Sequence, residues 1–324
     1  MSESSLQGGL GWNCRGWGWA AEQIVGIDVV TAEGLSAHCS KTVNSDLFWA
    51  ARGSGPGFFA IAVRFHLQTK PLPSGMLANT YVWDIAEYDA VMPWVIETAK
   101  IADPNMEIVA LALYPDNTDH APSDQRIQLV VHVLTFNSSV EGASSALDLF
   151  SVNLPRRQSA IVTEEYHPTS LADEFIQEHK QNPIGHRYSV DNAWIHSHLP
   201  TQKVVDAMRG VFTTLPSPQS FALYFNMAPE RPIPEMALSL QAEHWLTVCC
   251  VWKDPKDDVR LQNWLRWRFE NMDEVSPGLY LGDSDFQVRK APFLMPERRE
   301  RLESIRKVWD PHGLFCSYLG LENE

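Results

Sequence analysis

The chain has 324 residues, 44% of them apolar and 20% charged, with a formal net charge of −14 at pH 7. This is an ordinary globular composition with room for two domains. No run nears the roughly 20 apolar residues of a membrane span, and the acidic field disfavours nucleic acid. Five cysteines, odd in number and without CxxC spacing, support neither a zinc nor a disulfide framework, so no metal site is expected and a reducing, cytoplasmic setting fits best. The opening MSESSLQGG carries no basic or apolar leader, so no secretory signal is expected.

In chain order, a glycine cluster comes first: Gly8-Gly9-Leu10-Gly11-Trp12, then Arg15-Gly16-Trp17-Gly18. Such a loop suits tight turning or close approach to a ligand. The β-branched run Ile24–Val30, a turn at Thr31–Gly34 and the stretch 35–38 predict a hairpin. Asn44–Gly53 reads as a capped short helix that stops at glycine, followed by a second glycine loop, Gly53–Gly57. Phe59–Leu67 alternates like a strand, and Lys70–Gly75, with two prolines, reads as a linker.

Farther on, Ile127–Leu134 predicts a buried strand, Ser144–Phe150 and Thr201–Leu215 predict helices, and Leu238–Trp252 is the most apolar strand region. In 259–269, Leu261, Trp264, Leu265 and Arg268 share one helical face. A last helix starts at Pro296, carries the apolar stripe Leu302, Ile305, Val308 and Trp309, and ends at Asp310-Pro311. Its run Glu297–Arg301 reads as a solvated face, because acids interrupt the bases. His196 and His198 share a strand face, yet no third ligand has metal-site spacing, and a loop or surface role is preferred. No GxSxG, P-loop or HExxH is present, which argues against common hydrolase and nucleotidase chemistries.

Two long motifs stand in order near the two ends: NSDLFWAARGSGPGFFAIAVRFHLQTKP and RLESIRKVWDPHGLF. With the early GGLGW and the late YLGDSDFQVRKAPF, the chain resembles the FAD-linked oxidases of the vanillyl-alcohol-oxidase type, in particular the fungal members of the berberine-bridge-enzyme-like branch. The resemblance implies an α+β fold: a partial FAD-binding domain of the PCMH type and a substrate domain with an antiparallel sheet covered by helices. It implies three segments, with the second lobe of the FAD-binding domain at 1–72, the substrate domain at 73–290, and 291–324 returning to the first. The family's first lobe, with its pyrophosphate loop, is expected to be absent here. A homodimer, or a partner chain, is then expected to cover the face that this lobe would leave bare.

By the same resemblance, FAD is the expected cofactor, with Gly8, Gly9, Gly11, Gly57 and Phe58 lining it. The implied activity is oxidation of an alcohol, or oxidative ring closure, on a small hydrophobic substrate of specialised metabolism. The alternatives are a flavin-free relative acting as a cyclase or isomerase, and an inactive truncated copy. Candidate catalytic residues are Glu243 and His244, on the strand matching the family's substrate sheet, and Tyr280, in a stretch that in relatives runs near the flavin. Neighbours on a strand point oppositely, so Glu243 and His244 are not expected to face one cleft without a bulge. For Tyr280 the competing reading is a packing residue with a bonded hydroxyl.

Overall fold

Runs rich in Val, Ile and aromatic side chains become strands because branched and flat side chains pack well on a pleated surface. The computed structural model describes residues 5–115, 126–227, 231–318 and 321. The fold is α+β, and the chain divides into two units. Unit 1 gathers the residues up to Pro71, Arg231–Gln241 and those from Gly278 on; unit 2 gathers Leu72–Glu230 and Ala242–Pro277. The boundary after Pro71 falls within the proline linker Lys70–Gly75. Segments 231–241 and 278–290, which the sequence places in the substrate domain, belong to unit 1 in this division.

Unit 1 begins with a short helix, α1 (Cys14–Trp17), and continues with strands β1 (Ile24–Val30) and β2 (Ser36–Ser40), helix α2 (Ser45–Ala51) and strand β3 (Ile61–Leu67). The three strands form an antiparallel sheet in the order β2-β1-β3, with Asp28 opposite His38 and Gly26 opposite both Ser40 and His66. Ile24, Ile27 and Val29 point inward from β1 and are at most 2% exposed, so this face supplies the core of the sheet.

Unit 2 holds β4 (Leu77–Asp84), α3 (Tyr88–Ala99), β5 (Met106–Leu113), β6 (Gln128–Thr135), α4 (Val140–Val152), β7 (Val162–Pro168), α5 (Leu171–Lys180), β8 (Arg187–Ile195), α6 (Thr201–Thr213), β9 (Phe221–Asn226), β10 (His244–Trp252) and α7 (Asp258–Phe269). Its seven strands pair antiparallel in the order β7-β4-β6-β5-β9-β10-β8. Helices α4 and α5 start where side chains accept the orphan amides: Ser139 from the Gly142 N–H, Ser170 from the Asp173 N–H.

The registers fix which face each residue occupies. Tyr81, Val131, Ala110, Tyr224, Leu246 and Ala193 lie in one row across six strands and so share a face. Tyr81 meets Trp94 of α3 edge-on, and Trp94 meets Phe150 of α4, so this is the helix-covered face. Burying each of these large side chains contributes on the order of 2–3 kcal/mol.

The last helix, α8 (Pro296–Trp309), belongs to unit 1. Pro296 occupies its first turn, where no intrahelical N–H partner is needed. Leu302 and Ile305 are buried while Val308 is 72% exposed, so the apolar stripe is narrower than the sequence suggests. Arg298 and Arg301 pair with Glu235, and Arg299 pairs with Glu303, so the charge run is a surface ion-pair face. At the end of α8, Trp309 Nε1 donates to Asp46 Oδ2 at 2.9 Å. The adjacent buried Asp310 carboxylate accepts the Leu314 and Phe315 N–H groups at 2.7 and 3.1 Å, which turns the chain sharply. The two long motifs therefore meet at one hydrogen bond. Trp309→Phe keeps most of the ring and deletes this donor, and the urea midpoint is expected to fall by an amount worth about 1 kcal/mol at unchanged slope.

Candidate functional site

In unit 2 the start of β10 carries a connected set of buried polar groups. Tyr224 on β9 lies two residues before Asn226, which puts both on the helix-covered face, and His244 opposite Asn226 shares it. The Asn226 amide nitrogen donates to Glu243 Oε1 at 3.3 Å and to Tyr224 Oη at 3.4 Å. The Tyr224 hydroxyl, which accepts from Asn226, is also hydrogen-bonded to His244 Nδ1, 2.9 Å away. The two rings also stack, with centroids 5.9 Å apart. Burial pushes the His244 pKa down to about 4, with a smaller contribution from Lys100.

Glu243 lies one residue before β10, where strict alternation no longer governs its side chain. The Glu243 backbone N–H donates to Ser197 Oγ at 2.9 Å, and its carbonyl accepts from the Met227 N–H at 2.7 Å. Glu243 and His244, adjacent but expected to diverge, are thus joined through Asn226 and Tyr224. The opposite face of the same strands carries Trp245, Phe225 and Trp194, with ring centroids 5.4 and 6.3 Å from Trp245, and Trp245 Nε1 donates to Asn192 Oδ1. A shallow pocket lined by Leu72–Ser74, Met76, Leu77, Val140 and Pro168–Leu171 lies at the β4–β7 edge and holds none of these residues.

Tyr280 lies in unit 1 and plays a different part. Its oxygen accepts the N–H groups of Gly9 and Leu10, each at 3.2 Å, and its ring leans on Trp19 with centroids 5.5 Å apart. Burial pushes its pKa up to about 12, so the phenol keeps its proton at neutral pH and serves to hold the glycine loop. Glu22 grips Arg231 through both carboxylate oxygens. Gln241 belongs with them, accepting from Trp19 Nε1 at 3.4 Å.

The glycine loops allow a test for FAD. The Gly9 and Leu10 amides are taken by Tyr280, which leaves the buried Ser54 hydroxyl, without a partner among the described residues, as a donor of a suitable kind. The faces of the glycines are not open in the same way. At Gly8 (φ +107°) a Cβ would stand 3.0 Å from Leu238, and at Gly57 it would stand 2.3 Å from the ring of Tyr318, whose hydroxyl donates to the Ser54 carbonyl. Phe58 is 5% exposed and packs on Phe59. Gly11 has open space where a Cβ would project, and Gly9 has its amide on Tyr280. As arranged within unit 1, this set fits one oxygen of the cofactor and does not fit a ring laid against Gly57.

No protein-family model matches the chain. The FAD-linked oxidoreductase janO of Penicillium janthinellum is 33% identical over 325 residues, covering 98% of this chain and 69% of the relative. The FAD-linked oxidoreductase ptmO of Penicillium ochrochloron is 32% identical over 324 residues, covering 97% and 68%. Among solved structures, BBE-like 1 of Physcomitrella patens superposes with a TM-score of 0.74 at 14% identity, over 100% of this chain and 71% of that one. The chain belongs to the FAD-linked oxidoreductase family, whose cofactor is FAD, and it spans about two thirds of the length of these relatives.

The burial of His244 carries a pH signature. Its folded pKa of about 4 lies below the ordinary histidine value of 6.5, so the unfolded chain takes up the proton first. Stability from this group is complete above pH 6.5 and is lost as pH falls toward 4, by on the order of 3 kcal/mol. Urea unfolding of the wild type and His244→Asn across this window is expected to show the variant with a shallower loss.

Proposed function

We propose that this FAD-dependent oxidoreductase oxidises a small hydrophobic substrate of specialised metabolism, at an alcohol or by closing a ring, with Glu243 accepting the proton that the substrate gives up. The class rests on relatives that match along 97–98% of the chain and share the name FAD-linked oxidoreductase. The role of Glu243 rests on one observation: its carboxylate is largely buried, 8% exposed, and is held at Oε1 by the Asn226 amide, which is itself fixed by Tyr224.

A carboxylate aimed by a neutral donor keeps acceptor capacity on its second oxygen and can take a proton without reorganising. Tyr224 and the neutral His244 complete the support and keep the amide oriented as a donor on both sides. Bound FAD supplies a two-electron acceptor for the substrate's hydride. The second reading, a flavin-free cyclase, is not favoured, because four relatives matched over 94–98% of this chain are named for FAD.

The setting we infer is a reducing, cytoplasmic one. It is supported by the burial of Cys39 and Cys250 as core residues. Among the described residues no helix is long and apolar enough to cross a membrane.

The purified chain supplied with FAD is expected to take on flavin absorbance, and a panel of small aromatic and alicyclic alcohols is expected to bleach it anaerobically. In Glu243→Gln the flavin spectrum should persist while the bleaching rate falls at least about 100-fold. Bleaching at the wild-type rate in this variant would remove Glu243 from the reaction. A chain that stays colourless would remove the oxidase reading from this chain.

A further inference from the structure

Outside the groups discussed so far, one cluster combines two imidazoles and a carboxylate. Asp28 on β1, His38 on β2 and His66 on β3 come from three adjacent strands of the unit 1 sheet. His38 Nδ1 lies 2.6 Å from Asp28 Oδ1, and His66 Nε2 lies 3.0 Å from Asp28 Oδ2. One ligand atom from each residue can be chosen so that all three fall within 4.8 Å of one another. Sequence spacing hides this set, since the histidines stand 10 and 38 residues from the aspartate.

The backbone is shaped for the cluster. In antiparallel pairing, directly opposed residues point to the same side, which brings Asp28 beside His38. His66 sits opposite Gly26, two residues before Asp28 and so on the same side. Gly26 leaves the room between the rings: a Cβ there would stand 3.0 Å from His38 Cε1 and 3.4 Å from His66 Cδ2. The rings meet edge to face with centroids 5.5 Å apart. Arg64, which also opposes Asp28, forms no ion pair among the described residues, so the carboxylate is shared by the two imidazoles alone.

We propose that Asp28, His38 and His66 bind a divalent transition-metal ion of the Zn2+ class, which clamps the three strands of the unit 1 sheet together. Two imidazoles and one carboxylate are a donor set for zinc, nickel or copper rather than for calcium or magnesium, which take oxygen ligands. At Zn–N and Zn–O distances of about 2.0–2.1 Å, tetrahedral ligand atoms stand roughly 3.3 Å apart. From the present separations the His38–Asp28 contact opens slightly and the widest of the three, within 4.8 Å, closes to reach this. The side chains are partly open, His38 at 50% and His66 at 41%, so a water completes the coordination. Because the ligands come from three strands and are brought together only in the folded sheet, the ion binds the folded chain in preference to the unfolded one and stabilises it.

Zn2+ titrated into the untagged, chelator-treated full chain is expected to bind at one saturable site per chain by calorimetry. Co2+ is expected to give a visible absorption band, and the ring resonances of His38 and His66 are expected to shift together on adding Zn2+. The His38→Ala/His66→Ala variant, checked for wild-type far-ultraviolet circular dichroism, should lose affinity by at least about tenfold and lose the zinc-dependent rise in melting temperature. His196→Ala/His198→Ala should bind as the wild type does. No saturable site in the wild type, ring resonances that stay in place, or a loss below tenfold in the His38/His66 variant would overturn the proposal.

Discussion

Unit 1 is assembled from three stretches of chain that lie far apart in sequence, and the bond between Trp309 and Asp46 is where its first and last stretches are joined. The indole donor ends α8 and the carboxylate begins α2, so one hydrogen bond fixes both a helix terminus and a helix start. The neighbouring contacts act in the same way. Glu22 holds Arg231, Glu235 holds Arg298 and Arg301, and Tyr280 holds the Gly9–Leu10 turn. Each joins residues more than 60 apart, so the unit's sheet alone does not define the unit.

Unit 2 obeys a different constraint, the parity of its strands. Six strands in strict register send every second residue under the helices, and this places His244 in a dry environment where it stays neutral. One residue earlier, at Glu243, the strand has not yet begun, and the side chain turns to the same amide that organises the histidine. A single step in sequence thus separates a core imidazole from a carboxylate with accessible surface. The aromatic cluster around Trp245 on the other face follows from the same alternation.

Much of the fold could be read from the residues, because local signals and tertiary packing agree. The hairpin at Ile24–Ser40, the helix starting at Pro296 and the strand at Gln128–Thr135 all follow from β-branching, turn chemistry and proline placement. Leu238–Gln241 reads as the beginning of β10, because apolar runs do not reveal which body they bury against; in the structure Leu238 fills the space over Gly8. The candidate site was legible only in part. Glu243 and His244 stood out as polar residues in an apolar strand, whereas Tyr224 and Asn226 gain their roles from a register that no local pattern encodes. Tyr280 looked chemical because of its neighbours in relatives, but two amides occupy its oxygen. The cluster at Asp28 was invisible for the same reason as Asn226: it exists only across strands.

The bond between Asp46 and Trp309 spans 263 positions. At a ribosome adding about 5–20 residues per second, roughly 13–50 s pass between the appearance of one partner and the other. For that interval the early hairpin lacks its closing helix, while strands β4 to β10 have already been made. Unit 1 is thus completed only once the fourteen-residue helix α8 brings the indole that Asp46 accepts from.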